Sequence, residues 1–298
     1  MLKTLTELHD MARSHKPRRL VLAAAHDEHS LGALVHAAKQ KFVEGILIGD
    51  QKKVEDIANA QGFDLGVFHL INEPDSNLAA AMAVKMVRNN QADILMKGNL
   101  GTSNLLKAVL NKESGLRSEE LISHLALFQL SSYHKLLGLT DAAINISPDL
   151  QEKASIINNA VGFLRKLGLE TPKVAMLSAV ETVNSAIKSG VDAAILTKMA
   201  ERGQIKHCMV DGPLAFDNAI SEKSARLKKI SSQVAGDADL LVTDNIDVAN
   251  SIYKSLIYFA GASCAAVILG AAAPIVLTSR ADPEDTKLNS IAMAAAIS

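Results

Sequence analysis

The sequence predicts an α/β protein, doubly wound on largely parallel sheets. Three observations carry that expectation. Short β-branched runs alternate with longer segments whose apolar residues recur at helical spacing. The short runs are apolar throughout instead of alternating, as strands covered on both faces are. Hydrophobic residues make up 48% of 298 positions, enough for a substantial core.

Taken in order, MLKTLTELHDMARSHKPRRL has no apolar h-region of a secretory signal and reads as an amphipathic helix. Strands are expected at RLVLAAA (19–25), EGILIG (44–49), DILMKG (93–98), KVAMLSA (173–179), HCMVDG (207–212) and DLLVTD (239–244). NLAAAMAVKMVRNN and NNAVGFLRKLG between them carry helical spacing. Residues 111–148 break the rhythm, because ISHLALFQL and KLLGLTDAAINI follow each other across a short turn and predict a hairpin. The alternation restarts at Pro148, which sets a domain boundary within 143–150. No charge appears between Lys254 and Arg280, roughly the ~20 residues of a membrane-spanning helix. Gly261, Gly270 and Pro274 punctuate that stretch, so AAVILG and APIVLT are expected as two buried strands and no membrane association is expected.

The formal net charge of -1 argues against a nucleic-acid partner, which needs a concentrated basic face, and gives no support to a membrane-surface role. The two cysteines, Cys208 and Cys264, stand in no metal-ligand spacing and each lies in an apolar run, so both are expected as core thiols. A cytoplasmic enzyme is the expectation.

In open α/β sheets ligands bind at the carboxyl ends of strands. Polar residues collect there: Lys97-Gly98, Asp141 with Asn145, Ser178 with Glu181, Asp211-Gly212-Pro213, Asp244-Asn245 and Ser279-Arg280-Ala281-Asp282. Together they outline a polar cleft. Gly98 to Ser103 lies between a strand and a helix, where bare N–H groups and the Thr102 and Ser103 hydroxyls suit a phosphate. It is not a Walker A loop, since Lys97 precedes the glycines, and no G-x-G-x-x-G follows the first strand. His26-Asp27-Glu28-His29 reads as a helix cap, and no metal site is expected. His124 is either a ligand contact or a satisfied, partly buried histidine. At Ser279-Arg280-Ala281-Asp282, a guanidinium fork, a hydroxyl and an acid suit a phosphoryl group and a proton transfer. A surface Arg–Asp pair capping the last helix is the other reading of the same spacing.

The chain resembles the phosphate acetyl/butyryl transferase family, and its butyryl branch in particular. The residues that carry the resemblance are ADILMKG (92–98), GLRSEELISHLALF (115–128), LTDAAINISPDL (139–150), VAMLSAVE (174–181), GQIKHCMVDGPLAFDNAIS (203–221), AGDADLL (235–241) and APIVLTSRAD (273–282). TDNIDVAN (243–250) and Phe216 depart from the usual pattern. The resemblance implies two α/β domains with an active-site cleft between them, the C-terminal segment returning to the first. On that basis residues 1–145 with 268–298 form one domain and 146–267 the other. It implies reversible exchange of a short acyl group between CoA and orthophosphate, in a homo-oligomer with no metal or redox cofactor. Ser279, Arg280, Asp282 and Asp285 are then the catalytic candidates, with Asp282 favoured as base for the CoA thiol. Lys97, Gly98, Thr102, Ser103, His124, Asn145 and Asp217 are the substrate-binding candidates. A phosphate acetyltransferase, a non-catalytic acyl-CoA or phosphate binder, and a metal- and NAD-dependent hydroxyacid dehydrogenase are the alternatives. The last would need a paired-aspartate metal site and a nucleotide loop, and neither pattern is present.

Overall fold

The structure is a computed structural model that describes residues 2–118, 121–279 and 282–297. Helix α1 (Leu5–Ser14) precedes strand β1 (Arg18–Ala23), which leads through α2 (Glu28–Lys39) to β2 (Val43–Gly49) and through α3 (Gln51–Gln61) to β3 (His69–Asn72). Helix α4 (Ser76–Arg88) then returns the chain to β4 (Ile94–Lys97), followed by α5 (Thr102–Val109). Asp27, Asp50 and Asp75 accept first-turn N–H groups of α2, α3 and α4, so these helices start where their caps stand. The expected cap at His26–His29 is therefore Asp27. Gly101 offers α5 no side-chain cap.

The chain continues through β5 (Ser123–Gln129), β6 (Leu137–Thr140), α6 (Leu150–Lys166), β7 (Lys173–Leu177), α7 (Lys188–Glu201) and β8 (Met209–Leu214). Short helices α8 (Phe216–Ile220) and α9 (Glu222–Leu227) precede β9 (Leu240–Val242) and α10 (Ile246–Tyr258). Strands β10 (Ser263–Leu269) and β11 (Ile275–Val276) and helix α11 (Glu284–Ala295) complete it. The uncharged stretch thus becomes the end of one helix and two strands. Among the described residues no helix is long and apolar enough to cross a membrane.

The chain divides into two compact units, Thr6–Glu120 with Ala265–Ser298, and Met1–Leu5 with Leu121–Cys264. The first division lies nearer the N-terminus than the 145/146 boundary the sequence reading sets. The reason is pairing: β5 and β6 form the expected hairpin, and β6 runs parallel to β9, which ties both arms to the later strands. In the unit made of Thr6–Glu120 and Ala265–Ser298, the strand order is β3-β2-β1-β4-β11-β10. Strands β1, β2, β3, β4 and β11 are parallel, and β10 is antiparallel to β11. In the other unit the order is β5-β6-β9-β7-β8, parallel from β6 onward.

Strand β8 corrects one expectation. Asp211, Gly212 and Pro213 lie inside it, not beyond its end. A proline is tolerated there because β8 is an edge strand.

Charged groups inside the second unit are paired. Lys135, buried, reaches Asp237 at 2.8 Å and Asp239 at 2.7 Å, and Lys173 also pairs with Asp237. Burial works to raise Asp237, but Lys135 and Lys173 outweigh it and hold the carboxyl down at about 2. Lys153 is likewise held between Asp192 and Asp244.

Candidate active site

The chain leaves β1 toward β2 and β3 and comes back to β4 on the opposite side of β1. That reversal is the switch point at which such sheets leave a crevice. Gly98 fixes its geometry. Its N–H donates to Ala23 O at 2.8 Å and the Asn99 N–H to Ala24 O at 2.8 Å. A Cβ at Gly98 would lie 2.3 Å from Ala24 O, so glycine is required by the close approach of two main chains. Lys97, 5% exposed, turns its ammonium onto Gly98 O at 3.2 Å and Leu100 O at 3.4 Å. The loop so pinned delivers Thr102 and Ser103, both exposed, as the first two residues of α5. Their hydroxyls and the orphan N–H groups of an uncapped helix start share the carboxyl end of β4 with a buried cation.

Strand β11 adds its carboxyl end beside β4. Val276 stands opposite Met96, so Thr278 and Ser279 emerge just beyond Lys97. The Ser279 N–H donates to the Asp282 carboxylate at 2.7 Å, just ahead of α11. Asp285 is exposed in the first turn of α11 and makes no such bond. Arg280 lies outside the described residues.

Sequence reasoning missed Lys287. Its side chain folds back from α11, and its ammonium donates to Thr278 Oγ1 at 3.1 Å and Ser279 O at 2.9 Å. Burial pushes its pKa below the ordinary lysine value, against the pull of Asp27 and Asp282. A signal was present: Lys287 is the only charge after Asp285. It also shares the spacing of Ser290, Ile291 and Ala294, all buried on α11.

The other candidates belong to the second unit. Asp141, buried just past β6, accepts the N–H groups of Ala143 and Ile144 at 2.9 and 3.0 Å, and the Asn145 amide at 2.6 Å. The same amide donates to Ile122 O at 2.9 Å, so Asn145 is a loop tie at the end of β6. His124 is 4% exposed, its carbonyl accepting from Thr140 Oγ1 at 2.7 Å. Asp217 is exposed in the first turn of α8. The structure therefore brings Lys97, Gly98, Thr102, Ser103, Ser279, Asp282 and Asp285 to one unit, and His124, Asn145 and Asp217 to the other. Cys264 is buried and Cys208 is half-buried, its thiol pushed up to about 11 by desolvation, as inert thiols are.

A sheet switch point furnished with buried ammonium groups, hydroxyls and a bare helix start makes a candidate site for an anionic group on an α/β protein. Comparison with known proteins narrows the class. Residues 75–295 match the family described as phosphate acetyl/butaryl transferase. A phosphate butyryltransferase of Clostridium acetobutylicum is 43% identical over 100% of this chain and 99% of its own length. A phosphate acetyltransferase of Rhizobium meliloti is 43% identical over 95% of this chain and 90% of its own. The crystal structure of a branched-chain phosphotransacylase from Enterococcus faecalis superposes with a TM-score of 0.83 at 33% identity, covering 93% of this chain and 97% of that one. The chain belongs to the phosphate acetyl/butaryl transferase family and is an acyltransferase.

Proposed function

We propose that the protein transfers a short-chain, butyryl-like acyl group reversibly between CoA and orthophosphate, by direct attack within a ternary complex. The observation that carries this reading is the shared carboxyl end of β4 and β11. There Lys97, the α5 start with Thr102 and Ser103, and Ser279 offer cation and donors to a phosphoryl group. The guanidinium clamp expected of Arg280 belongs to the same reading, although Arg280 lies outside the described residues. In the direction of acyl-CoA synthesis, the CoA thiol gives its proton to a carboxylate. The thiolate sulfur bonds to the acyl carbon, the tetrahedral oxyanion collapses, and the carbon–oxygen bond to phosphate breaks. Ser279 donates to that oxyanion. A thiol with a pKa of about 8.5 is mostly protonated at neutral pH, hence the need for a base. Asp282 holds the Ser279 N–H, while Asp285 stands open at the helix start, which favours Asp285 as base and Asp282 as a holder of the Ser279 main chain.

Identities of 43–48% to butyryl enzymes and 40–44% to acetyl enzymes overlap, which leaves chain length to the pocket, and one methylene is worth only about 1–3 kcal/mol. The reading includes a homo-oligomer that works in the cytoplasm, without metal or redox cofactor.

The test is CoA release from butyryl-CoA and acetyl-CoA as phosphate is titrated. Saturable phosphate dependence without added metal or nicotinamide is expected. Asp285→Asn is expected to lose about 100-fold in kcat with KM little changed, the usual weight of a general base. Acyl-CoA binding without turnover, or turnover indifferent to phosphate, would refute the function. A full loss in Asp282→Asn with none in Asp285→Asn would reverse the two aspartates.

A further inference from the structure

Lys287 breaks two local rules at once. It is a long cation 2% exposed, and it sits in the opening turns of α11, where the helix dipole disfavours positive charge. A helix designed for packing alone would carry an apolar residue there. What the sequence obtains is a grip on one segment: the ammonium bonds Ser279 O and Thr278 Oγ1, while the Asp282 carboxylate takes the Ser279 N–H. Both main-chain groups of Ser279 are thereby held by the side chains of Asp282 and Lys287. The helix that carries the grip is itself seated on α2. Glu284 lies over Gly32, 3.1 Å from where a Cβ would stand, and reaches His36 at 2.6 Å. Asp27, the cap of α2, is the second acid close enough to act on the buried charge.

We propose that Lys287 is a positioning residue of the acyl-transfer reaction, fixing the main chain of Thr278 and Ser279 so that the Ser279 hydroxyl meets the developing oxyanion. This inference rests on the role given above to Ser279, and the experiment separates the two. Ser279→Ala, Lys287→Met and the double variant of the full chain are compared for kcat and KM in the phosphate-dependent reaction. A misplacement of an ångström in a reacting group is worth about 100-fold in rate. Lys287→Met is therefore expected to lose roughly 30-fold in kcat, with KM for both substrates within about threefold of the parent. Because Lys287 acts through Ser279, the double variant is expected within about twofold of Ser279→Ala alone.

Losses that multiply in the double variant, or a loss expressed in KM with kcat intact, would overturn the proposal. A Ser279→Ala enzyme with parental kcat would remove the role of Ser279 itself, and this proposal with it, whatever Lys287→Met does. If Lys287→Met does not fold, Thr278→Val takes its place, since it keeps the side-chain shape and removes one acceptor of the ammonium. A smaller kcat loss that vanishes in the Ser279→Ala background supports the proposal, and an additive one overturns it.

Discussion

Replacing Gly98 by alanine asks one methyl group to enter the close approach of two main chains just past the paired ends of β1 and β4. The added Cβ would stand 2.3 Å from Ala24 O and 2.8 Å from Ala23 O, where ordinary contact begins near 3.4 Å. Relief takes a movement of about 1 Å, and neither obstacle is a flexible side chain. The bonds at risk are the two 2.8 Å contacts that tie Gly98 and Asn99 to β1. Overpacking costs about 1–3 kcal/mol, and a clash of main chain on main chain belongs at the upper end. At about 2–4 °C per kcal/mol for a domain of 150–250 residues, melting should fall by roughly 6–12 °C. The same displacement carries Lys97, Thr102 and Ser103, so kcat/KM should fall about 100-fold. Thermal melting and the phosphate-dependent release of CoA measure the two effects. A Gly98→Ala protein that melts with the parent and keeps its kcat/KM would refute the claim that this approach sets the site.

Two further outcomes follow from groups in the second unit. Asp141→Ala strips the acceptor from the Ala143 and Ile144 N–H groups and the Asn145 amide. It should destabilise by about 3 kcal/mol, read as a shifted urea midpoint at unchanged slope. Asp237 binds its proton more weakly folded than unfolded, so its contribution is whole above its unfolded value near 3.8 and is lost as pH falls through about 2. Asp237→Asn should accordingly flatten the pH dependence of melting across that window while lowering stability at neutral pH. An unchanged acid limb would assign the dependence to other carboxylates.

Much of the fold was legible because buried parallel strands announce themselves as unbroken apolar runs. RLVLAAA and EGILIG overlap all but the first residue of β1 and β2, and DILMKG and DLLVTD contain β4 and β9. AAVILG and APIVLT fall on β10 and β11, whose punctuating Gly270 and Pro274 showed where the chain turns. Strand β3 escaped because HLIN is short and half polar, as an edge strand is. KLLGLTDAAINI promised a longer strand than β6. Pattern alone does not show that Asp141 will gather the following N–H groups and stop the strand at Thr140. At the site, Lys97-Gly98 and Ser279 could be read from their place after apolar runs. The work of Lys287 could not, because it depends on which face of α11 turns back over its own start, nor could the bond from the Ser279 N–H to Asp282.

The unit that holds Lys97 and Ser279 is assembled from Thr6–Glu120 and Ala265–Ser298, with Leu121–Cys264 inserted between its parts. Strand β4 can complete its hydrogen bonding only once β11 has been synthesised. On the ribosome, the inserted half is available to fold while its host still lacks β11, α11 and most of β10. A polypeptide that stops short of β11 should therefore yield a folded Leu121–Cys264 insert joined to an unfinished host without turnover.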